Sequence, residues 1–149
     1  LELVSKAGSR RIPYSGFHKG YKQMDIRPDE LLRAIHLPRN TKGLTHYYRK
    51  VGTRKAQAIS KVCFAAVAGV KGGKIDHARI ALGSVAPIPI RCFKTESAVN
   101  GQPLNGQTIA AATQSLAAEI SPIDDIRSSK DYRLQVSLNL LEDFLAHLK

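Results

Sequence analysis

Residues 59–85 constrain the fold more than any other stretch. An apolar run from 59 to 70 leads into Lys71-Gly72-Gly73-Lys74. Two adjacent glycines can both take positive φ, which a two-residue hairpin turn of type I′ requires. The return segment, 75–85, alternates: Ala78, Ile80 and Leu82 fall on one side, His77 and Arg79 on the other. This predicts an antiparallel hairpin with one buried face. In the outgoing strand Val62, Phe64, Ala66, Ala68 and Val70 share a face, and Cys63, Ala65, Val67 and Gly69 share the other. Both faces are apolar, so the strand is expected to be central and covered on both sides. Gly69 and Gly83 predict something packed closely on top.

The flanks extend this pattern. Residues 45–51 are aromatic and β-branched enough for a further strand. Residues 52–58 read as a basic loop or a single helical turn. Toward the N-terminus, 1–5 alternates as a short strand, 6–11 reads as a basic turn, and Pro13, Gly16 and Gly20 punctuate a loop. Residues 31–37 read as a strand with Leu31, Arg33, Ile35 and Leu37 on one side, ended by Pro38. The candidate domain boundary is Asn40-Thr41-Lys42-Gly43.

Beyond the hairpin the pattern turns helical. Residues 94–99 form a short helix or turn. Thr108 is the expected cap of a helix over 109–120. Ser128 with Asp131 resembles a capping arrangement for the last helix. That helix carries Leu134, Leu138, Leu141, Leu145 and Leu148 as an apolar stripe. Strands followed by helices predict an α+β fold: a three- to four-stranded antiparallel sheet covered by about three helices, with a short β-rich N-terminal extension. The expected division is 1–43 and 44–149.

Composition narrows the chemistry. No apolar run is long enough to span a bilayer, and the chain opens at Leu1 in an alternating stretch, as a segment from within a longer protein would. Cys63 and Cys92 make neither a disulfide framework nor a CxxC site; Cys63 reads as a small core residue. A soluble protein of a reducing cytoplasm fits. The five histidines have no metal-ligand spacing, and no P-loop, GxGxxG or GxSxG occurs. No catalytic or metal residue is assigned. Asp124 and Asp125 are read as capping or pairing with Arg127. The formal charge is +11, from 23 Lys and Arg against 12 Asp and Glu. Such a surface attracts polyanions. The densest cluster is Tyr47-Tyr48-Arg49-Lys50-Val51-Gly52-Thr53-Arg54-Lys55. It admits three readings: a nucleic-acid patch with no recognition motif beside it, an exposed loop on a basic face, or a flavin or nucleotide site in which Lys meets an anionic oxygen.

The segment Tyr48-Arg49-Lys50-Val51-Gly52-Thr53-Arg54-Lys55-Ala56-Gln57-Ala58-Ile59-Ser60-Lys61-Val62 resembles the start of the C-terminal domain in flavoproteins of the xanthine dehydrogenase and carbon monoxide dehydrogenase family. Ala78-Arg79-Ile80-Ala81-Leu82-Gly83-Ser84-Val85-Ala86-Pro87, with Arg91, is similar to that domain's second signature. Pro122, Asp125-Ile126-Arg127 and Tyr132-Arg133 resemble its last. Upstream, Ser9-Arg10-Arg11, Tyr21, Pro28-Asp29-Glu30-Leu31-Leu32 and Ile35-His36-Leu37-Pro38 resemble the tail of the family's FAD-binding domain.

The resemblance implies the FAD subunit of a molybdenum hydroxylase. FAD would be shared with an N-terminal FAD-binding domain. Molybdopterin would lie on a large subunit and [2Fe-2S] clusters on another, with NAD or a different final acceptor. It implies an oxidoreductase only within a complex, and no nucleic-acid or membrane partner. The alternative is a non-catalytic module that docks the FAD domain to its partners. The resemblance also implies FAD contacts for Leu32, Lys50 and Ile59, and a loop over 51–61 that lies on the flavin. Gln57 falls where some relatives carry a carboxylate, which leaves the electron acceptor open. The family's glycine-rich pyrophosphate loops have no counterpart here, so weak or no FAD binding is expected of this chain alone.

Overall fold

Gly72 and Gly73 adopt φ of 58° and 74° and turn β7 (Val62–Lys71) directly into β8 (Lys74–Gly83). Strand β6 (Thr45–Val51) pairs antiparallel with the other side of β7, and the short β9 (Ile90–Arg91) adds to β8. The sheet order is β6-β7-β8-β9. One irregularity interrupts the hairpin: Val67 faces Arg79, whereas Gly69 faces Asp76. Strand β8 thus carries one extra residue, and His77 takes φ of 55° there. The bulge shifts the inward phase, so both Ile75 and Ala78 are buried.

This sheet lies within the second of two compact units. The computed structural model describes residues 1–148, and the units are Leu1–Lys42 and Gly43–Lys149. In the second unit three helices follow the strands: α1 (Phe93–Val99), α2 (Gly106–Glu119) and α3 (Lys130–Ala146). The core joins Val62, Phe64, Ile80 and Leu82 of the sheet to Val99, Leu116, Leu141, Phe144 and Leu145 of the helices. The fold is α+β, as the strand-then-helix order predicts.

Helix α1 substitutes for a missing strand at the β8 edge. β9 reaches only Ala81 and Leu82. Further along, Glu96 Oε1 accepts from the Ile80 N–H at 2.9 Å, and Asn100 Oδ1 accepts from the Ala78 N–H at 2.8 Å. Four residues of helix rise about 6 Å, and two residues of strand rise about 6.7 Å. Side chains at i and i+4 on the helix therefore meet every second residue of the strand. Beyond them, the Ile75 N–H donates to Gln102 O at 2.9 Å. The N-terminus of α1 is closed from a distance as well: Glu119, at the end of α2, accepts from the Lys94 and Thr95 N–H groups at 2.9 Å each.

Several sequence expectations are corrected. The outer face of β7 is open, with Ala65 exposed, because the helices pack on one side of the sheet only. Cys63 lies on that open face, half-buried, and its thiol donates to the Tyr48 hydroxyl at 3.5 Å. Gly69 does meet a close neighbour, since an added Cβ would lie 2.9 Å from Leu44 Cδ2, but Gly83 meets only Cys63, at 3.5 Å. The cap of α2 is Asn105, whose Oδ1 accepts from the Thr108 N–H at 2.9 Å. Thr108 is thus inside the helix. The cap of α3 is Ser129, because Ser128 is taken up in a backbone pair with Asp125. The buried side of α3 starts with Arg133 and Ser137 and becomes Leu141, Phe144 and Leu145, with Leu134 and Leu138 only partly covered.

The first unit holds β1 (Glu2–Ser5), β2 (Gly8–Arg11) and β5 (Leu31–Ala34) in the order β2-β1-β5, all antiparallel. A second pair, β3 (His18–Gly20) and β4 (Gln23–Met24), forms within the expected loop. Residues 8–11, expected in a turn, pair with β1 as a strand, and Arg10 on it has a buried partner. Its guanidinium donates to Glu30 at 2.7 and 2.9 Å. That guanidinium, with the Arg27 N–H, holds the Glu30 carboxyl at about 2. Strand β5 ends at Ala34, short of 37, and Ile35 and Leu37 are exposed.

Candidate functional site

The loop that follows β6 is where the basic cluster sits. Its neck is closed by the Lys61 N–H, which donates to Val51 O at 2.7 Å. Inside it, Arg54 folds back so that its guanidinium donates to Gln57 O at 2.6 and 3.1 Å. Gln57 itself takes φ of 50°. Gly52 is required by proximity: an added Cβ would stand 3.0 Å from Ala58 Cβ. The loop is therefore a tied structure with a defined neck, and it contains no helical turn.

Lys50 immediately precedes this loop, Ile59 lies within it near its exit, and both face outward. Lys50 is exposed and lies opposite Cys63 in the β6–β7 register. By alternation it shares the open sheet face with Tyr48 and His46. Ile59 is 64% exposed, a large apolar side chain with no cover in its own unit. Leu32, the third expected contact, lies on β5 of the first unit and is 45% exposed. Lys50 and Ile59 are thus brought to one end of the β6–β7 pair, while Leu32 belongs to a separate unit.

The open face next to Lys50 forms a shallow depression of about 470 Å³, floored by Ala65 and Ala81 and edged by Tyr48, Arg79 and Arg91. Arg91 is held in place by the buried Glu96, through bonds of 2.7 and 2.8 Å, and stacks over Phe93 at 4.5 Å.

Sequence reasoning missed the residue that ties the loop to the rest of the unit. Arg133 is only 4% exposed. Its Nη1 donates to Lys61 O at 2.8 Å and Ser84 O at 2.7 Å, and its Nη2 to Asp125 Oδ1 at 2.7 Å. The only signal was its place beside Tyr132 in the third signature. Its Nη1 and Nη2 carry the pairing that makes a buried guanidinium tolerable, while its buried Nε has no hydrogen-bond partner among the described residues. Asp125 pairs with Arg127 as well, at 3.4 Å, and Asp124 accepts from the Lys130 N–H at 2.7 Å, so both carboxylates serve capping and pairing. The Arg127 N–H first, then the Arg133 guanidinium, hold the Asp125 carboxyl at about 2, against an ordinary 3.8.

A lowered folded pKa has a defined sign. The stability that Asp125 contributes is complete above its unfolded value and is lost as pH falls through about 2. The urea midpoint is expected to be flat between about pH 7 and about pH 5 and to fall below about pH 4. Asp125→Asn should lower the midpoint at neutral pH and flatten part of that acid limb. An acid limb unchanged by the substitution would remove Asp125 from the account.

Lys50 is an accessible cation suited to an anionic ring oxygen. Ile59 offers apolar cover, and the bare Gly52 backbone allows close approach. These suit the ring of a flavin. A pyrophosphate needs several convergent backbone N–H groups, and the chain has no glycine-rich loop of that kind. Among the described residues no group of His, Cys, Asp and Glu is arranged to hold a metal ion, and no helix is long and apolar enough to cross a membrane.

Comparison with known proteins agrees with this architecture. Residues 46–148 match the CO dehydrogenase flavoprotein C-terminal domain. The chain is 36% identical over 139 residues to the putative xanthine dehydrogenase FAD-binding subunit of Escherichia coli (strain K12), covering 91% of this chain and 47% of that protein. It is 31% identical to the glyceraldehyde dehydrogenase medium chain of Sulfolobus acidocaldarius, over 90% of this chain and 47% of that one. Among solved structures, a Cu,Mo-CO dehydrogenase chain superposes with a TM-score of 0.87 at 27% identity, covering 95% of this chain and 49% of that chain. The chain spans about half the length of the relatives it matches. With the sheet, the three helices and the tied loop in this order, the chain belongs to the CO dehydrogenase flavoprotein C-terminal domain family.

Proposed function

We propose that this chain is the C-terminal part of the FAD subunit of a molybdenum hydroxylase of the xanthine dehydrogenase type. Residues 1–43 would be the tail of the FAD-binding domain and 44–149 the C-terminal domain. The observation that carries this reading is the family match over 46–148 together with Lys50 and Ile59, both solvent-facing at the tied loop. In this role Leu32 and Ile59 give apolar contact to the flavin, and Lys50 places a positive charge beside the ring. FAD, when bound, supplies the two-electron carrier between iron–sulfur clusters and NAD or another acceptor. The loop over 51–61 shields the ring from water and limits which acceptor reaches it. The molybdenum-binding and [2Fe-2S] subunits would be partners in a cytoplasmic complex. The chain alone would have no turnover.

An assembly module that only docks its neighbours is the second reading, and the open sheet face with Ala65 and Ala81 favours it. One measurement tests the reliance on an N-terminal FAD-binding domain, and a second separates the readings. The isolated chain should show no bound flavin absorbance when FAD is added at low micromolar concentration. In the flavin-loaded complex, Lys50→Met should weaken FAD retention about tenfold, or roughly 1.4 kcal/mol, and shift the flavin absorbance. Unchanged retention and spectrum in Lys50→Met would sink the flavin-contact reading in favour of docking alone.

A further inference from the structure

The three signatures that carry the family resemblance are far apart in the chain, yet they meet at one side chain. The first ends around Lys61, the second contains Ser84, and the third contains Asp125 and Arg133. Arg133 bonds Lys61 O across 72 positions and Ser84 O across 49, and Asp125 balances it at 2.7 Å. Lys61 is thereby gripped twice. Its N–H is held by β6 through Val51 O, and its C=O by α3 through Arg133. Its ammonium also lies over the Tyr132 ring, 4.9 Å from the centroid. Ser84 needs a grip of its own, because it holds φ of 66°, a left-handed conformation that costs a non-glycine residue. Asp125 is fixed in turn by the N–H groups of Arg127 at 2.8 Å and Ser128 at 3.1 Å.

We propose that Arg133 is a positioning residue for the flavin-facing loop. It sets the exit of the loop relative to β7 and β8, and so sets how Ile59 and Lys50 meet the flavin. This rests on the reading given under Proposed function. Only a guanidinium suits the task. It is planar, carries five donors in a fixed fork, and can tie two carbonyls and a carboxylate at once. A lysine keeps the charge but has no fork.

The test is native trypsin cleavage of the flavin-loaded complex, mapped by mass, with the flavin spectrum and midpoint potential recorded alongside. Cleavage after Arg54 and Lys55 reports the loop, and cleavage after Lys71 and Lys74 reports the β7–β8 turn as an internal control. Arg133→Lys should raise loop cleavage at least tenfold, leave turn cleavage within twofold, and shift the flavin potential. Asp125→Asn should act in the same direction more weakly, and it carries the test if Arg133→Lys does not fold. Unchanged loop cleavage overturns the proposal. A parallel rise at both places also overturns it, since that marks general loss of stability. A freed loop with an unaltered flavin spectrum and potential leaves the clamp standing and sinks the reading that this loop faces the flavin.

Discussion

Glu96→Ala is expected to destabilise the second unit by roughly 2–4 kcal/mol, more than its position on a seven-residue helix suggests. Glu96 is 4% exposed and holds two groups at once: the Ile80 N–H and the Arg91 guanidinium. Removing it leaves a buried backbone donor in the middle of β8 with no acceptor, and such an orphan costs about 1–3 kcal/mol by itself. The ion pair adds less, because Arg91 is 41% exposed on its side chain and water screens it. Glu96→Gln keeps an acceptor for Ile80 and should cost about half as much. The check is urea unfolding of both variants. Equal, small effects below about 0.5 kcal/mol would mean that the β8 edge finds other partners.

The second large effect is expected at Phe64. Phe64→Ala should cost about 3–5 kcal/mol. The ring is fully buried and stacks edge-on to Tyr47 at 5.7 Å, with Phe144 at 6.2 Å. It thus joins β6, β7 and α3 in a single aromatic cluster, and pairs of this kind add about 0.5–1.5 kcal/mol beyond the area they bury. For a unit of this size the thermal midpoint should fall by more than about 10 °C. Phe64→Leu should recover more than half of the loss by filling the cavity. Scanning calorimetry decides, and a shift within about 2 °C for Phe64→Ala would show that the sheet and α3 are held together elsewhere.

The placement of Lys50 and Ile59 beside and within the loop was legible because its signals are local. Lys50 and Ile59 stand in one continuous motif, and both face solvent at the loop the motif describes. The role of Arg133 was not legible, because its three acceptors come from residues 8, 49 and 72 positions away. A leucine stripe drew the expected buried side of α3 one residue away from Arg133 and Ser137. Apolar periodicity cannot anticipate that a charged residue will be buried when its partners are remote.

By itself, the sequence determined the elements whose causes lie within a few residues. Period-two alternation and the Gly72-Gly73 pair specified the β7–β8 hairpin, and aromatic and β-branched residues specified β6 over Thr45–Val51. The order of strands and helices determined the α+β class. Only the tertiary structure decided which face of β7 is covered, since both faces are equally apolar and the choice depends on where the helices land. It also decided that Glu96 and Asn100 complete the edge of β8, and that three distant signatures close around one guanidinium. Local steric and turn preferences act before the chain has any long-range contact. Burial of polar groups is decided only when the partners that satisfy them have been brought together.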